Sequence, residues 1–369
     1  MEREPVELYM VLGNEHFFWP LDAPPVYLMD LLGKPYFMHS LEYLMSLFFI
    51  KKIVFIYAND NWNSSIRKAL EGRVYADISF EFTNSLSFDN IVSIIMSLRD
   101  ERNKILSYSA YIPLHLLDVS IFKKNHFILS EDSDKKVAHL FLCAEEKIDI
   151  SNISHSNHMS TFLPSYPWDF LKILKDTIKK KITSARIKET AKISNFAKVI
   201  GPCWIDENVK IYENAIIKGP AYIGKNTIIG NNVLVRESSI EKNSIIGANM
   251  EVARSWLGIR SETHSGYIGD SIFANKVHVG AGFITGNVRL DRRIVKAKWK
   301  NKKIGTGLKK FGTIIGSNTE IGIHSGTMPG VLIGKSVKVG PGTLIFDNVP
   351  DNITIYAKQQ IITKNSSFS

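Results

Sequence analysis

Two apolar rhythms divide the chain. Over the first 165 residues, compact apolar runs alternate with segments of helical spacing. "VELYMVL", "KKIVFIYA", "ADISFEF" and "KILSYSA" read as buried strands, and "YFMHSLEYLMSLFF" and "DNIVSIIMSL" continue the strand–helix alternation between them. Such alternation predicts parallel βαβ units, a Rossmann-like α/β domain over residues 1–165. The polar, turn-rich stretch at 149–165 marks its end. "PWDFLKILKDTIKKKI" follows, opening on Pro167 with Phe170, Ile173, Leu174 and Ile178 on one face, and predicts a connecting helix within 166–195.

From about Val199 the period becomes six. Branched residues recur at Ile205, Ile211, Ile217, Ile223, Ile229 and Val235, then after a step of five at Ile240, Ile246 and Val252, and again at Ile315, Ile321, Thr327, Ile333, Val339 and Ile345. Glycine often follows, as at Gly224, Gly230, Gly247 and Gly316. This is the hexapeptide signature of a left-handed parallel β-helix, expected over 196–369, in which short strands each send one branched side chain inward and stacked coils share one core. A β-sandwich would instead alternate at period two. The rhythm is interrupted between Leu257 and Ile268 and again between Val288 and Gly312, and interruptions of a repeat are where insertions and binding sites gather. The first holds "ETHSGYIGDS", with His264, Tyr267 and Asp270 close together.

Composition narrows the picture. The chain has 369 residues, 44% hydrophobic and 22% charged, as expected of a soluble globular protein. No apolar run is long enough to span a bilayer, and the first residues lack a signal-peptide layout, so a cytoplasmic location and no membrane partner are expected. Two cysteines, Cys143 and Cys203, read as reduced thiols, and no ligand cluster suggests a metal. The net charge of +10 suits an anionic partner. Much of it lies in the second interruption, where Arg289, Arg292, Arg293, Lys296, Lys298, Lys300, Lys302, Lys303, Lys309 and Lys310 face one acid, Asp291. That segment is either a solvated loop or hairpin, or a phosphate-binding element. Nucleic-acid binding is disfavoured because only Trp299 and Phe311 interleave aromatic rings with the charge.

An α/β domain followed by hexapeptide coils resembles the sugar-phosphate nucleotidyltransferases, most closely the two-headed enzymes that acetylate glucosamine-1-phosphate and couple the product to UTP, archaeal forms included. In the first half Gly13, Pro20, Pro25 and "GKP" at 33–35 match, but the phosphate loop does not. Glu15 replaces its second glycine, Phe17 its arginine and Val26 its lysine, and Ser109 and Ala110 stand where the metal-binding aspartate is expected. Phosphates need exposed backbone N–H groups and fixed cations. The resemblance therefore implies a degenerate, inactive nucleotidyltransferase domain. His16 and His39 read as surface or core residues. "SYPWDFLK" matches the family's exit from that domain, with Tyr166 to Asp169 structural.

The second half matches better. "HSGYIGD" resembles the family's H-L-S/T-Y-x-G-D, "HVGAGFITGN" its N-x-G-A-G-T-I-T-x-N, and "IGTGLKKFG" the archaeal D-T-G-R-R-K-L-G. The resemblance implies His264 as general base, Tyr267 and Asn287 against the sugar, Ala281 and Gly282 offering backbone groups to coenzyme A, and Lys309 and Lys310 meeting its phosphates. A histidine titrates near working pH and suits removal of an amine proton. Where the family carries a sugar-phosphate lysine, this chain has Val252 or Ala253, with Arg254 one or two residues late and Arg236 as a further candidate. His278 replaces the family's asparagine. The implied protein is a homotrimeric acetyl-CoA-dependent N-acetyltransferase acting on an amino-sugar phosphate. Two other readings stay open: a non-catalytic regulatory or scaffold subunit of sugar-nucleotide metabolism, and a nucleotidyltransferase using unusual residues.

Overall fold

The computed structural model describes residues 5–12, 19–21, 28–47, 49–57, 63–71, 78–84, 104–109, 127–132, 135–140 and 166–363. The expectations at Gly13, Glu15, His16, Phe17, Pro25, Val26, "DNIVSIIMSL", Ala110, Cys143 and the 149–165 boundary lie outside those residues. The chain divides into two compact units, residues 1–181 and 182–369.

The first unit carries a parallel sheet. Strands β1 (Pro5–Leu12), β2 (Phe49–Tyr57), β3 (Ser79–Asn84) and β4 (Lys104–Ser109) are ordered β3-β2-β1-β4, the strand order of one half of a doubly wound fold. Helices α1 (Tyr36–Leu47) and α2 (Asn63–Leu70) supply the crossovers on either side of β2. Phe37, Leu41 and Leu44 recur at helical spacing on α1 and are buried, and Phe37 meets Phe55 of β2 edge-on at 5.9 Å. Ser109 ends β4. Helix α3 (Phe170–Lys181) packs within this unit, with Phe170 6.2 Å from Tyr36 and the Lys180 ammonium over the Tyr43 ring. Its entry is as the sequence implies. Trp168 is buried, Tyr166 stacks on it at 4.6 Å, and the Asp169 carboxylate accepts the Tyr166 N–H at 2.8 Å.

The second unit is a parallel β-solenoid of about nine turns, the expected β-helix. Its strands form three in-register parallel sheets of nine, eight and eight strands. The faces are named here A (strands Lys192–Ile193 to Thr354–Ile355), B (Lys198–Ile200 to Leu344–Ile345) and C (Arg186–Ile187 to Val331–Ile333). Because side chains alternate across a strand, each strand turns one residue into the core. On face A the column runs Ile211, Ile229, Ile246, Thr263, Val279, Ile321, Val339, and on face C Ile205, Ile223, Ile240, Leu257, Phe273, Ile315, Ile333. Every branched residue picked out by the period of six from Ile205 onward is buried. The coil begins earlier than residue 196, since Ile187 and Ile193 already pair with Ile205 and Ile211.

The two interruptions differ in kind. No loop leaves the coil between Leu257 and Ile268. Glu262–Thr263 is a face A strand, in register with Ile245–Ile246 before it and His278–Val279 after it. The rhythm looked broken because a threonine takes the inward position and the following corner is one residue shorter than its neighbours. The second interruption is a true insertion. Lys296–Trp299 and Lys302–Gly305 form an antiparallel hairpin between a face B strand ending at Thr285 and a face C strand starting at Thr313. Phe311 and Gly312 rejoin the coil by donating to the Asn287 and Asp270 carbonyls at 2.9 Å each.

Thr263 is 3% exposed and its hydroxyl has no hydrogen-bond partner among the described residues. A buried hydroxyl left unpaired costs about 1–3 kcal/mol. Thr263→Val keeps the shape and is expected to raise the urea midpoint of the coil by the equivalent of about 1 kcal/mol. Gly266→Ala is expected to lower it, because Gly266 has φ +132° and a β-carbon there would stand 2.0 Å from the Phe283 carbonyl oxygen.

Candidate active site

The A-to-B corner explains how a histidine enters the repeat. In the preceding coil, Gly247, Ala248 and Asn249 connect Ile246 to Met250; in the next, Gly280, Ala281 and Gly282 connect Val279 to Phe283. Between them only His264 and Ser265 connect Thr263 to Gly266, which pairs with both Met250 and Phe283. His264 therefore occupies the position that is glycine in the adjacent coils. Its N–H donates to the Val279 carbonyl at 3.2 Å, and its exposed ring lies 5.5 Å from that of His278. His278 is outward on the next face A strand, 3.6 Å from the Glu262 carboxylate.

The backbone groups expected to meet coenzyme A lie beside this corner, but differ in availability. The Gly282 N–H is engaged by the Ser265 carbonyl at 2.9 Å and hydroxyl at 3.1 Å. The Ala281 carbonyl accepts the His324 N–H at 2.7 Å, while the Ala281 N–H has no partner among the described residues. His324, which the sequence reading passed over, covers Gly282. A β-carbon on Gly282 would meet its Nδ1 at 2.7 Å, and Gly282 sits at φ +74°. Farther along the corner, Ile323, His324, Pro341, Gly342, Tyr356, Ala357 and Gln359 line an open cavity of about 430 Å³. The signal for His324 was its place in the six-residue register, two residues after the glycine of the corner.

A second cluster forms at the B-to-C corner. Here the sequence repeats a left-handed residue followed by serine: Glu237-Ser238, Arg254-Ser255 and Asp270-Ser271, with φ near +50° at each first residue. The serines are buried and form a ladder, each hydroxyl accepting the N–H one coil on at 3.0–3.1 Å. That ladder fixes Arg254 and Asp270 at equivalent points of adjacent coils, about 4.8 Å apart along the stack. They meet in a bidentate pair, Nε to Oδ1 and Nη2 to Oδ2, both 2.6 Å. The Asp270 carboxylate holds the Arg254 guanidinium above the usual arginine range. Asn287 joins by donating to Asp270 at 2.6 Å and to the Tyr267 hydroxyl at 3.1 Å. The Tyr267 ring leans over Gly269, away from His264.

Of the ten site residues expected from sequence, Tyr267, Asn287 and Arg254 thus form one network with Asp270. His264, His278, Ala281 and Gly282 form another, across the strand Gly266–Gly269. Arg236 stands one coil before Arg254, bound at 2.9 and 2.6 Å to Glu251. Both arginines expected to meet phosphate therefore already hold a carboxylate. Lys309 and Lys310 are exposed, just before the Phe311–Asn287 contact, and make no ion pair among the described residues. Trp299 and Phe311 are buried, so neither offers a ring to a base. Burial pushes the Cys203 thiol up to about 11, which removes it as a nucleophile near neutral pH. Among the described residues no group of three potential ligands could hold a metal, and no helix is long and apolar enough to cross a membrane.

Asp270→Asn is expected to lower the coil's unfolding free energy by about 1–3 kcal/mol, the usual loss for hydrogen bonds to a charged group. The added cost of Asp270→Asn should fall when Arg254→Gln is already present, a coupling readable from a double-mutant cycle in urea.

Residues 199–305 match the GMPPB C-terminal domain. A bifunctional sugar-1-phosphate nucleotidylyltransferase/acetyltransferase from Sulfurisphaera tokodaii is 39% identical over 107 residues, 29% of this chain and 26% of that protein. A bifunctional protein GlmU from Methanococcus maripaludis is 36% identical over 199 residues, 53% of this chain and 47% of that protein. Among solved structures, a UDP-N-acetylglucosamine acyltransferase from Francisella novicida covers 48% of this chain and 66% of its own at 19% identity, with a TM-score of 0.23. The matches to the two curated relatives span about a quarter to a half of their lengths. The chain is thus similar over residues 199–305 to the GMPPB C-terminal domain, and over part of its length to bifunctional sugar-1-phosphate nucleotidyltransferase/acetyltransferases.

Proposed function

We propose that the chain is a coenzyme A-dependent N-acetyltransferase acting on an amino-sugar phosphate, assembled as a homotrimer through its coil, with a first unit that no longer transfers nucleotides. The observation that carries this reading is the shortened corner that places His264 where adjacent coils have glycine, beside Ser265, His278 and Ala281. Corner glycine gives way to a titratable side chain at one coil only in this stretch, within the residues 199–305 that match the GMPPB C-terminal domain.

The chemistry needs little from the protein. The acceptor amine attacks the thioester carbonyl carbon as His264 takes its proton; the C–N bond forms, the C–S bond breaks, and the thiolate leaves and recovers that proton. The unpaired Ala281 N–H is the available donor for the developing oxyanion. Tyr267 and Asn287, fixed by Asp270, orient the sugar, and Lys309 and Lys310 meet phosphate. The cavity at His324 and Gln359 suits the donor's nucleotide end. Trimer assembly is supported by the outer surface of face B, where Ile284, Leu344 and Phe346 stay more than half exposed in the single chain. A non-catalytic scaffold is favoured by one observation, the internal pairing of Arg236 and Arg254.

Incubation with acetyl-CoA and glucosamine-1-phosphate is expected to release free thiol, and His264→Ala to slow that release by about 10²–10⁴-fold. Absence of thiol release with every amino-sugar phosphate tried sinks the reading in favour of the scaffold. Light scattering after size exclusion should give the mass of three chains, and a monomer would remove the trimer from the proposal.

A further inference from the structure

We infer that Glu262 determines acceptor specificity, reserving the position beside His264 for a positively charged amine. The inference rests on the acetyltransfer reading and names what selects its acceptor. Glu262 and His264 flank Thr263, whose side chain is in the core; both are exposed, Glu262 on the face A strand and His264 at the corner that directly follows it. The strand is in register with His278, and His278 with Glu320, so carboxylates stand on both sides of that imidazole at strand spacing. In the rest of this outward row the residues are Lys192, Lys210, Ile228, Ile245, Lys338 and Thr354, none of them acidic. The two acids are therefore confined to the coils that bracket His278, and only Glu262 lies on the strand that His264 directly follows.

Glu262 is also available. Its nearest partner, His278 Nδ1, is at 3.6 Å, beyond hydrogen-bond reach, and its oxygens accept no hydrogen bond among the described residues. The side chain is 50% exposed. An amino sugar arrives mainly as its ammonium ion, which a carboxylate binds through a charge-assisted hydrogen bond. His264 accepts one proton from the ammonium and releases it to solvent; the neutral amine then attacks the acyl carbon and gives its second proton to His264, which returns it to the departing thiolate. A hydroxyl acceptor brings no charge and gains nothing from Glu262. The opposite edge of face B, across the four-residue strand Gly266–Gly269, has Arg236 and Arg254 neutralised by Glu251 and Asp270, so its uncompensated cations among the described residues are Lys309 and Lys310. At about 3.3 Å per residue that separation is on the order of 10 Å, so the two edges present opposite charges to the two ends of an acceptor bearing an ammonium and a phosphate.

The test measures binding to the full-length protein without acetyl-CoA, so that it is read separately from turnover. Wild type is expected to bind glucosamine-1-phosphate about tenfold more tightly than glucose-1-phosphate, by titration calorimetry, as one charge-assisted hydrogen bond allows. Glu262→Gln is expected to bring that ratio close to one while acetyl-CoA affinity and melting temperature stay as in wild type. Where turnover is measurable, Glu262→Gln should raise KM for the amino sugar more than it lowers kcat. A wild type that does not distinguish the two sugars, or binds neither, overturns the inference. So does a Glu262→Gln variant that keeps the ratio, or a ratio lost in Glu320→Gln instead. Failure of the acetyltransfer reading appears differently, as absent thiol release from a protein whose binding ratio still depends on Glu262.

Discussion

The in-register parallel ladder governs everything in the second unit. Each strand is hydrogen-bonded to the same position of the coils before and after it, about 4.8 Å away, so a residue's neighbours are set by coil arithmetic rather than by flexible reach. The polar contacts reflect this directly. Arg254 with Asp270, Arg236 with Glu251 and Asn287 with Asp270 all join residues 15–17 apart, one coil's worth of chain. The core columns hold the ladder together from inside, while the outward rows carry chemistry at no cost to packing.

Corner length is the variable that the sequence adjusts. A corner with one residue fewer at 264–265 puts a side chain where the neighbouring coils have none, and demands Gly266 at φ +132°. At the opposite corner, non-glycine residues near φ +50° carry a conformational penalty of about 1–2 kcal/mol each. The serine ladder beneath them and the bidentate Arg254–Asp270 pair offset it. Local strain and polar contacts are thus located at the same corners, and those corners bound the face on which Tyr267 lies.

Most of the coil was readable in advance because inward residues must be branched and must recur. The period of six named its core correctly from Ile205 to Ile345. It misjudged the stretch around His264, where Thr263 fills the same place as Ile246 and Val279 but the shortened corner brings the next inward residue, Ile268, after five residues and out of the period of six. The candidate site residues stand out in the sequence as members of motifs, but their grouping does not. Whether Tyr267 belongs with His264 or with Asn287 depends on which way its ring leans along a strand, and spacing says nothing of that. Likewise Arg236 and Arg254 read as free cations in sequence, since their carboxylate partners, 15 and 16 residues away, become neighbours only once the coils are stacked.

The hairpin at Lys296–Gly305 is the one described element of the second unit that stands outside this arithmetic. It leaves the coil after Thr285 and returns at Phe311 and Gly312, whose N–H groups land on the Asn287 and Asp270 carbonyls. Both ends are therefore pinned to neighbouring points on one corner. Closing a longer loop between fixed ends costs only about 0.6 kcal/mol per doubling of its length. The coil is accordingly divided into a part whose length is quantised, where one residue gained or lost re-registers every contact above it, and a part whose length is continuous. Evolution can rewrite the exposed lysines and arginines of the basic segment without disturbing the stack that carries it, so long as Val295, Ala297 and Trp299 stay buried.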